Sequence, residues 1–354
     1  MHERLKINEN AGSSTLVCQV ALVDDERGVL MRTMDRQQGR ARSEVVYWDL
    51  RTGRLEPDPH GYPKAHTSRC FSSNGRYLIV VTRKEVHHIW DRATRTAVAK
   101  LDIPPEYGAL HVSDDAQVVA LAGKEVAVWQ GATGGTRPLR ALKEGINLLS
   151  PSGKHLVGPP GASIYDAQSG AKLFTFPAHA AFGAFSPDSR SFLHSYNQRA
   201  KLFDLETGQK RESLVSPFEL IGGAVSLDHT RIAVGGIFGG ARVWQVPSED
   251  ILATWNVRDR YIRRLCFSGD GSRLVAASDS GALRLLDVAA GTERACLIVL
   301  KNDAWVTLTP DGYFIGSDNL ADHVQWQIDG KEIAFDRYAK DYHRPKRVAQ
   351  ALAI

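Results

Sequence analysis

One short pattern recurs seven times in this chain. An apolar run reaches an aromatic or large apolar residue, then Asp or Gln, then a polar or glycine turn. The copies are Tyr47-Trp48-Asp49, Ile89-Trp90-Asp91, Val128-Trp129-Gln130, Ile164-Tyr165-Asp166, Leu202-Phe203-Asp204, Val243-Trp244-Gln245 and Leu285-Leu286-Asp287. Their anchors, Trp48, Trp90, Trp129, Tyr165, Phe203, Trp244 and Leu286, lie 42, 39, 36, 38, 41 and 42 residues apart. A period of roughly 40 with short strands is the signature of propeller blades, each a small sheet that buries its faces against its neighbours. Length alone would suggest two domains for 354 residues, but added blades extend a single closed body.

Each period divides into four strands. The last is clearest: Ile262 to Ser268, Arg273 to Ser278, Leu283 to Val288 and Arg294 to Leu300. Between them stand Ser268-Gly269-Asp270-Gly271, Asp279-Ser280-Gly281 and Ala289-Ala290-Gly291. Gly and Asp supply the positive φ and side-chain caps that such turns need. The first turn recurs as Phe71-Ser72-Ser73-Asn74-Gly75, Val112-Ser113-Asp114-Asp115, Leu149-Ser150-Pro151-Ser152-Gly153, Phe185-Ser186-Pro187-Asp188 and Val225-Ser226-Leu227-Asp228. No helix of consequence is expected before residue 335.

These residues resemble the WD-repeat family over about residues 12 to 300. The likeness is strongest in Phe185 to Arg190 with Ala200 to Asp204, and in Ser278 to Gly281 with Leu283 to Asp287. The resemblance implies a seven-bladed, all-β propeller. The family's buried His-Asp network is eroded: His66 and His179 stand where its histidine would be, while Asp279 matches its turn aspartate in a blade that carries Val257-Arg258 instead. The ring is therefore expected to rely on apolar packing and closure.

The tail differs. Ala304-Trp305-Val306-Thr307-Leu308-Thr309-Pro310-Asp311-Gly312-Tyr313-Phe314 precedes Val324-Gln325-Trp326-Gln327, Phe335-Asp336-Arg337-Tyr338 and Tyr342-His343-Arg344-Pro345. It resembles the end motif of bacterial WD-repeat proteins, several of which carry a caspase-like protease or a kinase on the same chain; no such domain is present in this sequence. The expected division is a propeller over 1–302 and a C-terminal cap or extension over 303–354. An eighth blade is the alternative, because Trp326 falls 40 residues after Leu286. Pro345 suits a first helical turn, and Val348 with Leu352 would share one helix face.

Composition narrows the function. A net charge of +4 on 44 basic and 40 acidic side chains is far from the excess of a dedicated nucleic-acid binder. Cys18, Cys70, Cys266 and Cys296 show no CxxC spacing, which points to free thiols in a reducing compartment. The first ten residues lack an apolar signal region, and no stretch approaches 18 apolar residues, so a cytoplasmic protein without membrane contact is expected. The recurring aspartates read as turn caps, since a catalytic acid pair would be one local departure from the repeat. His87 and His88 point to opposite faces of a strand and lack companions for a metal. The glycine clusters lack the Lys-Ser/Thr of a phosphate-binding loop. No catalytic residue, metal or cofactor is expected.

Three arginine-rich groups are candidates for phosphate contact: Arg32, Arg36, Arg40 and Arg42 in a long polar loop, Asp35 to Glu44; Arg258, Arg260, Arg263 and Arg264 entering blade seven; and His343, Arg344, Lys346 and Arg347 in the tail. The stronger signal is aromatic. In a WD-type ring the loops entering each first strand share a face with those joining second to third strands. Here they carry Tyr107, Phe182, Phe218, Phe238 and Tyr261, with Arg260 alongside, the composition of a protein-binding hot spot. The expectation is a non-enzymatic scaffold or adaptor in a bacterial assembly. It would bind a protein or peptide, such as a separately encoded effector, through this loop face. The alternatives are a nucleic-acid sensor using the arginine loops, and a small-molecule or enzymatic site in the central channel.

Overall fold

The computed structural model describes residues 4–7, 15–24, 27–60, 62, 67–82, 86–104, 107–123, 125–139, 146, 148–158, 163–176, 182–257, 261–328 and 331–353, except 36–41. Among them, seven antiparallel sheets form a ring, a seven-bladed β-propeller. Blades one to seven occupy residues 15–57, 67–101, 108–138, 148–175, 182–215, 220–256 and 262–299, each with four strands in consecutive order. Contacts run blade to blade and return from Ile262–Phe267 of blade seven to Thr15–Val23 of blade one.

The seams hold the core. Seven apolar clusters each sit where two blades meet, and an eighth lies in the tail. Trp48 and Leu286 are fully buried, and Trp129 and Trp244 nearly so. The indole of Trp48 donates to the Gly53 carbonyl at 3.2 Å, and Trp129 to that of Gly134 at 3.1 Å. Each repeat anchor thus fills a seam, and Trp48 and Trp129 also pin the turn that follows them.

The recurring serine and aspartate of the first turn act as a pair. In blade seven Ser268 Oγ donates to Asp270 Oδ1 at 2.6 Å and accepts from the Arg273 amide at 2.9 Å. The same pairing links Ser113 with Asp115, Ser186 with Asp188 and Ser226 with Asp228. These turns also touch across seams. Ser73 Oγ donates to Asp114 Oδ2 at 2.7 Å, the Asp114 amide to Pro151 O at 2.7 Å, and the Ser152 amide to Ser189 Oγ at 2.9 Å. His229 Nε2 donates to Asp188 Oδ2 at 2.7 Å, and Arg231 Nη1 to Asp270 O at 3.2 Å. A relay of hydrogen bonds therefore joins blades two to seven along one rim.

The tail does not form an eighth blade. Trp305–Leu308 and Phe314–Gly316 extend blade seven outward, making its sheet six-stranded. Val324–Ile328 pairs instead with Lys331–Ile333 on one side and with the N-terminal strand Arg4–Ile7 on the other. Two short helices follow, α1 (Asp336–Tyr342) and α2 (Pro345–Leu352), with Pro345 in the first turn of α2 and Val348 and Leu352 buried on one face. No helix is long and apolar enough to cross a membrane.

Arg32 and Arg42 lie on strands rather than in a loop. Gly28–Asp35 and Arg42–Asp49 pair along their whole length, with Asp35 opposite Arg42. The polar composition hid a long hairpin. Arg36, Arg40, His66 and His179 lie outside the described residues.

Candidate loop-face interaction site

The rim opposite the serine–aspartate turns carries the loops that enter first strands and those that join second to third strands. On blades five to seven these loops are laced together by backbone bonds. The Leu220 amide donates to Asn197 O at 2.7 Å, Ile237 to Glu219 O at 3.1 Å, Val257 to Gly239 O at 3.1 Å, and Asp279 to Tyr261 O at 3.0 Å. The result is one continuous lip from Tyr196 to Asp279.

Four large apolar side chains stand out from it: Phe238 at 73% exposed, Val215 at 54%, Tyr196 at 46% and Tyr261 at 39%. Phe238 tips the turn Ile237–Gly239, at φ 56° and ψ 29°. It is set among Gly235, Gly236, Gly239 and Gly240. The turn lies against blade seven's first strand, which Tyr261 precedes. The Arg263 guanidinium sits 5.1 Å from the Tyr261 ring centre, and its Nε bonds Asp279 Oδ2 at 2.8 Å. The ion pair holds a cation against the ring while the rest of the tyrosine faces solvent. Exposed Arg199, Pro217 and Glu219 complete the lip.

The structure divides the aromatics picked from sequence. Phe238 and Tyr261 come together and stay exposed. Phe218 is half-buried, and its ring fills the space above two glycines: a Cβ on Gly236 would lie 2.3 Å from Phe218 Cδ2, and one on Gly240 2.6 Å from Cδ1. It wedges the Phe238 turn in place from beneath. Tyr107 packs onto the core between blades two and three, away from this lip. Phe182 begins blade five's first strand; its side chain, like the whole of Arg260, lies outside the described residues. Tyr196 and Val215 escaped the sequence reading. Tyr196 precedes Asn197, which takes φ 53°, so the Tyr-Asn pair was a turn signal in the same loop class as Phe238.

The repeat aspartates cap the turns that follow them. Asp49 Oδ1 accepts the Arg51 amide at 2.7 Å, Asp91 Oδ1 that of Ala93 at 2.8 Å, Asp166 Oδ1 that of Ser169 at 2.6 Å, and Asp287 Oδ1 that of Ala290 at 2.9 Å. Burial opposes ionisation of Asp49 and Asp91, but hydrogen bonds from Arg51 and Arg76 outweigh it and hold both carboxyls below their ordinary range. Asp204 is likewise held down, first by the Thr207 amide. Ser191, His229 and Asp188 form a chain like that of a nucleophilic triad, with Ser191 Oγ 3.4 Å from His229 Nδ1. Ser191 is fully buried and its hydroxyl accepts no approach from solvent, so this chain is a tie between blades five and six. Arg264 Nε donates to Cys18 O at 2.7 Å across the seam to blade one. Arg263 and Arg264 are thus both engaged within the ring. Among the described residues no three His, Cys, Asp or Glu converge as metal ligands would.

Neither a protein-family model nor a curated protein sequence matches the chain.

Proposed function

We propose that this propeller is a non-enzymatic scaffold of the WD-repeat type that binds a partner protein or peptide through the lip of blades five to seven. Propellers commonly serve as protein-interaction scaffolds, and a rigid ring presenting variable loops brings proteins together without chemistry of its own. The observation that carries the reading is Phe238. A non-glycine residue in the left-handed region is destabilised by about 1–2 kcal/mol. At 73% exposed this ring recovers little of that by burial, and glycines stand at 235, 236, 239 and 240 around its turn. Among the ten described non-glycine residues at positive φ it is the one with an exposed large apolar side chain, and strained residues gather at binding sites. Tyr196, Val215 and Tyr261 stand exposed on the same lip, and aromatic rings beside arginine are the favoured anchors of interfaces. The likeness of the tail to the end motif of bacterial WD-repeat proteins supports an adaptor whose effector is a separate chain.

A photo-crosslinking benzoylphenylalanine at position 238 tests this. In extract of the source cells it is expected to trap one defined protein. Tyr261→Ser should abolish that adduct without moving thermal unfolding, and the same probe at Glu125, on blade three's part of the rim, should trap nothing. An adduct insensitive to Tyr261→Ser, or none at all, overturns the reading.

A further inference from the structure

We infer that the C-terminal extension is the clasp that closes the ring. In a ring of seven blades the chain itself bridges six seams. The seventh, between blades seven and one, is held by non-covalent contact. Blade one takes its four strands from residues 15–57 and blade seven its first four from 262–299, so among the described residues no strand is exchanged across this seam. The groups that must meet there are the farthest apart in sequence, and closing so long a loop carries the largest entropic penalty of any seam.

Besides the Arg264–Cys18 bond and direct packing of the two blades, the extension crosses the seam. Thr307 Oγ1 donates to Gly53 O at 2.6 Å, a buried bond between residues 254 apart. The same carbonyl accepts from the Trp48 indole of blade one, so blade one's main anchor and the tail converge on one atom. Val348 and Leu352 of α2 join Trp48 and Leu50 of blade one with Leu285 and Leu297 of blade seven in a single apolar cluster. Arg294 Nε, on blade seven, holds the far end of α2 through Ala351 O at 2.9 Å. Gly53 is the seat. Its φ is +76°, and a Cβ there would lie 2.8 Å from Val348 Cγ1 and 3.1 Å from Leu352 Cδ1. The corresponding glycine of blade three, Gly134, has nothing within 4 Å of such an atom. At the equivalent glycines of blades four and five the cover comes from the preceding blade, Leu139 over Gly170 and Phe174 over Gly208, whereas at blade one the extension supplies it.

The extension is itself built to act as one piece. Trp326 Nε1 donates to Phe335 O at 2.7 Å, and Trp326 packs with Phe314, Tyr338 and Tyr342. The strand Arg4–Ile7, which precedes blade one, pairs with Val324–Gln327, with Arg4 opposite Gln327. The two ends of the chain therefore meet in the tail rather than in a blade.

Hydrogen exchange of the full chain carrying Val348→Asp and Leu352→Asp tests the clasp. Amides of Thr15–Val23 and Arg273–Ser278, which flank the seam, should exchange at least about tenfold faster, while those of blade three keep their protection. Thr307→Val, which keeps the side chain's shape and removes the bond to Gly53, should give a smaller change at the same amides. It carries the test alone if the double variant does not fold. Equal acceleration in every blade, or none at the seam, would overturn the inference.

Discussion

At the scale of single residues, the proposed binding surface rests on side chains that stand exposed outside the packed seams. Phe238 adds to this a left-handed backbone angle. Phe238→Gly relieves the left-handed conformation but frees the unfolded chain, so stability is expected to stay level or rise by up to about 1 kcal/mol. Denaturant titration would detect a loss larger than that, which would mean the ring supports the fold instead. Which aromatics stay exposed was only partly legible in the sequence. Phe238 and Phe218 look alike there, each in a loop of blade six. The difference lies in their neighbours: Gly236 and Gly240 leave a hole that the Phe218 ring fills. That pairing is set by how loop 216–219 folds back over the next hairpin, a contact between strands that no local pattern encodes. Tyr47 shows the same limit, since its phenol is pushed up to about 12 by burial and then by Asp24, a residue from the first turn of its blade.

At the scale of elements, the serine–aspartate turn couples the ring to acid. Hydrogen bonds from the Ser268 hydroxyl and then the Ser272 amide hold Asp270 at about 2, against an ordinary 3.8. Burial works against ionisation of Asp188 and Asp228, but their hydrogen bonds prevail and both lie below the ordinary value. A carboxyl depressed in the folded state stabilises it above the unfolded pKa, and that stability is lost as pH falls through the folded value. The denaturation midpoint should therefore hold above about pH 4 and drop progressively toward pH 2. Asp270→Asn should lower stability at neutral pH and flatten part of that drop; a profile flat across this window in the unmodified protein would contradict the account. These turns were readable in advance because their chemistry is local, five residues from serine to the amide it accepts. The strand Arg4–Ile7 was not, because its partner lies more than three hundred residues away and its four residues carry no distinctive pattern.

At the scale of the whole molecule, the repeat predicts the number of blades well because seven anchors need seven seams to bury them. It predicts the tail poorly, since Trp326 keeps the blade spacing yet joins another sheet. A closed ring also has no end from which to fray. Phe192, fully buried with its ring centre 5.5 Å from Phe176 and 5.0 Å from Phe185, tests how far that couples the seams. Phe192→Ala should destabilise by about 3–5 kcal/mol. Tryptophan fluorescence, which reports from blades other than four and five, should shift its midpoint together with far-ultraviolet dichroism; two separated transitions would show that the blades unfold piecemeal.

Blade seven, with its two added strands, breaks the rotational near-equivalence of the disc. Among the described residues six blades end at their fourth strand and one carries two strands more. Turning a uniform disc by one blade would return an indistinguishable surface and permit seven equivalent ways to grip it. Here the same turn carries the thick edge to a new place, so the extension is an index mark that distinguishes one blade position from the other six.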